Sequence, residues 1–144
     1  MTPDVNVLVA ASRTDHPHHR AAIHWLEGAL EAAAGGERVR LLPMVAAGFL
    51  RLVTHPRVFS EPTPLAAAQA FLAALLSADG VTMAPLGGEW PLLESLCREH
   101  GLSGNAISDA WIAAAVLTRS ECLATFDRDF VPLLPARRLV LLTA

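Results

Sequence analysis

The chain has 144 residues, 53% hydrophobic and 17% charged, with a formal charge of −3 from 11 basic and 14 acidic side chains. That length fits one domain over residues 1–144, and the composition can build a core, so a disordered chain is excluded. The acidic balance excludes a protein that grips nucleic acid chiefly by neutralising phosphates; any such contact needs a local basic patch or bound cations.

In chain order, DVNVLVA (4–10) is apolar and β-branched after a short polar start, and is predicted to be a buried strand. After the polar turn SRTDHPHH, a helix is expected from about Arg20 to Ala34, with Ile23, Leu26 and Leu30 at helical spacing and Gly35-Gly36 ending it. VRLL (39–42) reads as a second strand. Pro43 opens a helix at a position that tolerates proline, and the helix stops near His55-Pro56. Residues 64–78 form a helix apolar almost all round, predicted to be core or a docking face for a second copy or a partner. VTMAPL (81–86) is a third strand, Glu89 to His100 a helix capped by Gly101, and Ser108 the expected N-cap of DAWIAAAVLTR. Strand CLATF (122–126), the turn DRDF and strand RLVLLT (138–143) close the chain. Apolar strands alternating with helices imply an α/β sandwich around a mostly parallel sheet.

Cys97 and Cys122 are the only cysteines and form no CxxC, which suits a reducing cytoplasm. Asp4 and the lack of a basic segment before it argue against a signal peptide at MTPDVNVLVAASRTDHP. The apolar run Leu65 to Ala78 falls short of the roughly 20 residues that span a bilayer, so no membrane partner is expected.

Sites in open α/β sheets lie beyond the carboxyl ends of the strands. Asp4 in the first strand, Asp109 at the opening of a helix and Asp127 at the end of the fourth strand can reach such an edge, with Asp129 two residues on. Carboxylates gathered there repel one another unless a divalent cation is shared, and oxygen-only ligands suit Mg²⁺ or Mn²⁺. A cation so held can activate water for phosphodiester hydrolysis. Each acid also has an ordinary explanation: Asp109 a charge favoured at a helix start, Asp127 and Asp129 turn formers. Asp4, a charge in an apolar strand, is the hardest to explain without a partner. An aspartyl phosphatase would place a second Asp two residues after the first, where this chain has Asn6, and neither GxxxxGK[ST] nor GxGxxG occurs.

Four segments carry a family likeness: MTPDVNVLVAA with Asp4 and Asn6; PMVAAGFLRLVTHPRVF from Pro43 to Phe59; GNAISDAWIAAAVL around Asp109; and ATFDRDF from Ala124 to Phe130. In this order they resemble the PIN-domain family, and within it the VapC-like toxins, across essentially the whole chain. The resemblance implies a three-layer α/β/α sandwich with a mostly parallel sheet of about five strands. It also implies an Mg²⁺- or Mn²⁺-dependent endoribonuclease selective for single-stranded RNA, the toxin of a toxin–antitoxin pair, with a homodimer and a VapB-like antitoxin as partners. Asp4, Asp109 and Asp127 are then the catalytic, metal-binding acids, joined at the metal by Asp129. The chain departs from the family at Gly48, which stands where PIN domains usually carry a glutamate. The remaining acids, with waters completing the coordination shell, are expected to suffice; the alternative is a degenerate PIN domain that binds RNA or protein without cleaving.

Arg51, one helical turn past Gly48, could meet a phosphate or form a structural ion pair. Thr125 and Asn6 could hydrogen-bond the site carboxylates and set their orientation. Arg13 and Arg128 are the better candidates among loose cations that steer RNA. His16, His18, His19 and His24 have no nearby cysteine, so a solvated loop is expected rather than a zinc site, with His18 or His19 able to face substrate.

Overall fold

A computed structural model describes residues 1–144. The elements run β1 (Thr2–Pro3), α1 (Val5–Ser12), α2 (His19–Ala34), β2 (Val39–Leu41), α3 (Pro43–Val53), α4 (Leu65–Ser77), β3 (Val81–Met83), α5 (Trp90–His100), α6 (Asn105–Thr118), β4 (Leu123–Thr125) and β5 (Leu139–Leu141). Short 3-10 turns at Arg128–Phe130 and Ala136–Arg138 separate the last two strands.

Every strand pairing is parallel: β4 lies between β1 and β5, and β2 pairs with β3. The two sheets meet edge to edge. The Arg40 N–H donates to the Met1 carbonyl at 2.9 Å, and the Thr2 hydroxyl donates to the Arg40 carbonyl at 2.9 Å. The order across both is therefore β3-β2-β1-β4-β5. Helices α1 to α4 pack among themselves and α5 packs on α6; right-handed crossovers place the two groups on opposite faces, which gives three layers. A single cluster of 31 buried residues fills the space between, with Phe49, Phe130, Leu8 and Leu41 among the largest fully enclosed side chains.

The segment expected to be the first strand is mostly helix. Asp4 is still extended and its N–H bonds the Ala124 carbonyl at 2.9 Å, but its own carbonyl already accepts from the Val7 and Leu8 N–H groups. Val7 to Ala11 are all buried, so the run shows neither the alternation of a strand nor the stripe of a surface helix. Sheet and helices enclose it on every side, and apolar composition alone could not tell the two apart. The last helix likewise begins at Asn105 with Gly104 at its N-cap, so Ser108 caps nothing and Asp109 sits in the second turn.

The apolar helix 64–78 is one-sided in the fold. Ala68, Leu72 and Leu75 of α4 are buried and Phe71 packs on Phe49 with ring centroids 5.3 Å apart, whereas Leu65 and Leu76 are exposed. No helix is long and apolar enough to cross a membrane.

Candidate active site

Parallel pairing of β1 with β4 brings together two chain segments more than a hundred residues apart. Both strands end at the same edge, so Asp4 and Asp127 emerge side by side, and α6, which leads back into β4, lays Asp109 over the same edge. The three carboxylates line one open cavity of about 720 Å³ together with Asn6, Gly48 and Arg51.

Asp4 is only 5% exposed. Its Oδ1 accepts from the Val5 N–H at 2.7 Å, and its Oδ2 accepts from the Thr125 hydroxyl at 2.6 Å and the Asn6 side-chain amide at 3.0 Å. The same Thr125 oxygen accepts from the Asp127 N–H at 2.9 Å, and the Asn6 carbonyl oxygen accepts from the Phe126 N–H at 3.2 Å. Thr125, fully buried, thus ties the end of β4 to the acid at the end of β1. Burial nevertheless raises the Asp4 carboxyl above its ordinary value, the charge on Asp127 adds to the rise, and the hydrogen bonds from Thr125, Val5 and Asn6 only partly oppose it.

Asp109 has no such support. Its carboxyl is pushed up to about 6, first by desolvation and then by the charges of Asp127, Asp4 and Asp129. Asp129 does not line the cavity: its side chain is exposed, and its N–H donates to Asp127 Oδ1 at 2.8 Å, so Asp127 is at once a turn former and a site acid.

No three His, Cys, Asp or Glu side chains are drawn close enough to enclose an ion by themselves. The donor set nonetheless suits a hard divalent cation that keeps part of its water shell, being composed of carboxylates whose mutual repulsion such a charge would relieve. Gly48 fits the packing of α3 on α1. A Cβ there would lie 3.1 Å from Val5 Cγ2, so the glycine lets α3 approach the first turn of α1 at the cavity wall.

Arg51 is exposed on the cavity wall, and the ion pairs of the fold join other groups, so it is unpaired. Arg13 is not the loose cation expected from the sequence. It is 9% exposed, bonds Asp15 through two nitrogens at 3.1 and 2.8 Å and Thr63 at 3.1 Å, and lies 3.8 Å from the centre of the Phe59 ring. The histidine segment is also more ordered than a solvated loop. His18 stacks on Phe126 at 4.6 Å between centroids, and His19 Nδ1 lies 2.8 Å from the Ala10 carbonyl, while His24 is exposed.

Among the cavity-lining residues not singled out from the sequence as site residues are Asn105, Ser108 and Trp111. A regular repeat on α6 places Ser108 and Trp111 one turn apart beside Asp109; the missing signal was the true start of that helix.

A family model described as PIN domain matches residues 1–132. The chain is 38% identical over 128 residues to Ribonuclease VapC25 and to Ribonuclease VapC31 of Mycobacterium tuberculosis, covering 88% of this chain and 88% of each relative. It is 38% identical over 129 residues to VapC ribonuclease Mb2897 of Mycobacterium bovis, covering 88% and 85%. Among solved structures, VapBC2 from Rickettsia felis bound to a DNA fragment from their promoter superposes with a TM-score of 0.68 over 99% of this chain and 98% of that one, at 19% identity.

Proposed function

Because the chain belongs to the PIN-domain family, we propose that it is an Mg²⁺- or Mn²⁺-dependent endoribonuclease, the toxin of a VapBC-like toxin–antitoxin pair. One observation carries the reading: Asp4, Asp109 and Asp127 line a single cavity at the carboxyl edge of the parallel sheet, where burial and then the charge of Asp127 raise the carboxyls of both Asp4 and Asp109. Relatives named as VapC ribonucleases at 38% identity support the choice of RNA as substrate.

Asp4, Asp109 and Asp127 would hold the ion, with Asp129 adding negative charge from the rim. A divalent cation bound there supplies an activated water and compensates the charge that develops on the phosphoryl group. The chain's own groups set up the rest. Thr125 and Asn6 fix the Asp4 carboxylate in one orientation, which keeps the cavity arranged before substrate arrives. Thr125 also fixes the backbone of Asp127. Arg51, free of a carboxylate partner, is available to a phosphate oxygen. The open groove is also where a cognate VapB-like antitoxin would act, by seating an arginine on the carboxylates; a homodimer is part of the same proposal.

The test is cleavage of a panel of structured RNAs by purified protein with Mn²⁺. The parent protein should cut and Asp109→Asn should not. Equal traces from the two proteins would overturn the nuclease and leave a module that binds without cutting.

A further inference from the structure

The cavity has a second wall that the acids do not explain. Trp111 follows Asp109 by two residues on α6 and lines the same cavity, yet it remains 38% exposed. Its indole is held in place. Nε1 donates to Glu89 Oε1 at 3.0 Å, and Glu89 Oε2 accepts from the Gly87 N–H at 2.8 Å. Glu89 is only 8% exposed, just before the first turn of α5, and the hydrogen bonds from Trp111 and Gly87, in that order, hold its carboxyl below the ordinary range. A buried carboxylate is therefore committed to fixing an indole that is left partly open to solvent.

Such an arrangement is uneconomical for packing alone. An indole needed only as core would be enclosed, and one lying idle on the surface would need no buried anchor. The surroundings point to what the ring meets. The unpaired Arg51 lines the same cavity, as do Asn105, Ser108 and the three carboxylates. An aromatic face, a free guanidinium, and amide and hydroxyl donors beside an acidic cluster together match one kind of ligand. It has a flat heteroaromatic ring joined to a phosphate, which is a nucleotide of a single strand.

We propose that Trp111 is the stacking platform for an unpaired RNA base next to the scissile phosphate, and that Glu89 is the positioning residue that fixes the ring. This rests on the nuclease reading above and on the single-strand selectivity that the family resemblance implies; it adds the residues that receive the unpaired base, since a base in a duplex is already stacked on both faces. Trp111 acts on binding, Asp109 on the chemical step.

The experiment measures cleavage and binding of a short mixed-sequence single-stranded RNA with Mn²⁺. Binding is read in an Asp109→Asn background so that the strand survives. Trp111→Ala should weaken binding and raise KM by about 10- to 100-fold, with kcat within a few-fold. Trp111→Phe, which keeps an aromatic face, should recover most of the affinity. Glu89→Ala should fall between the two, and a matched RNA duplex should show no dependence on residue 111. Thermal melts of each variant check folding, and Trp111→Phe keeps the test open if Trp111→Ala proves unstable. Asp109-dependent cleavage with KM unchanged in Trp111→Ala would overturn the platform while leaving the nuclease intact. Unchanged RNA affinity with loss of self-association would assign the indole to an interface between copies and likewise overturn it. Absence of both binding and cleavage in the parent protein would remove the nuclease reading and the platform with it.

Discussion

Replacing Asp109 by asparagine should stabilise the metal-free protein while it abolishes cleavage. The Asp109 carboxyl is raised from its ordinary 3.8 to about 6 by burial and by three neighbouring acids. A displacement of that size corresponds to at most about 3 kcal/mol against the ionised form. Asp109 is only half-buried, so water and salt screen part of it, and about 1–2 kcal/mol remains. The folded state holds this proton to higher pH than the unfolded chain, so it binds more protons between about pH 4 and pH 6. Stability is thus fully present below the lower value and is lost as the pH rises through the upper one. Asparagine has nearly the same shape and no charge to lose. In chelator at pH 7, Asp109→Asn should melt about 2–6 °C above the parent, and the gap should close as the pH falls to 4. Mn²⁺ should then raise the melting temperature of the parent more than that of the variant, because the ion binds the folded acids. A variant less stable than the parent at pH 7, or a gap of equal size at both pH values, would show that the carboxylates do not strain one another and would refute the electrostatic reasoning.

Thr125→Val leaves Asp4 Oδ2 with the Asn6 amide alone and takes the acceptor from the Asp127 N–H, so a loss of about 1–3 kcal/mol in urea unfolding and a 10- to 100-fold drop in cleavage are expected, both restored in large part by Thr125→Ser. Gly48→Ala gains up to about 1 kcal/mol of helix propensity but sets its Cβ 3.1 Å from Val5 Cγ2. The gain should therefore be fully visible only with Val5→Ala, as a coupling of at least about 0.5 kcal/mol in a double-mutant cycle. Arg13→Ala removes the bidentate contact to Asp15, the bond to Thr63 and the stacking on Phe59, and should cost about 2 kcal/mol by chemical denaturation without raising the KM for RNA.

Local chemistry makes much of this protein legible in its sequence. Pro43 at the first turn of α3, Gly101 in a left-handed conformation after α5 and the apolar spacing of α2 are signals carried within a few residues, and the structure has those elements where they were read. The acids Asp4, Asp109 and Asp127 were visible as residues because each stands among apolar or motif-like neighbours. Tertiary structure decided the rest. Whether 4–10 is strand or helix depends on what surrounds it, since a segment buried on all sides has no periodicity to read. Arg13 looked like a free cation because Thr63 and Phe59, which hold it, are some fifty residues away in the chain. Trp111 carried no local signal as a site residue because its anchor, Glu89, stands 22 residues earlier, at the start of α5. That Asp4 and Asp127 share a cavity follows from β1 pairing with β4, a contact between distant segments that only the closed sheet imposes. Composition and spacing determine which groups are present and how each segment bends; distance in space, and with it repulsion, hydrogen bonding and a shared ligand, exists only once the strands have found their partners.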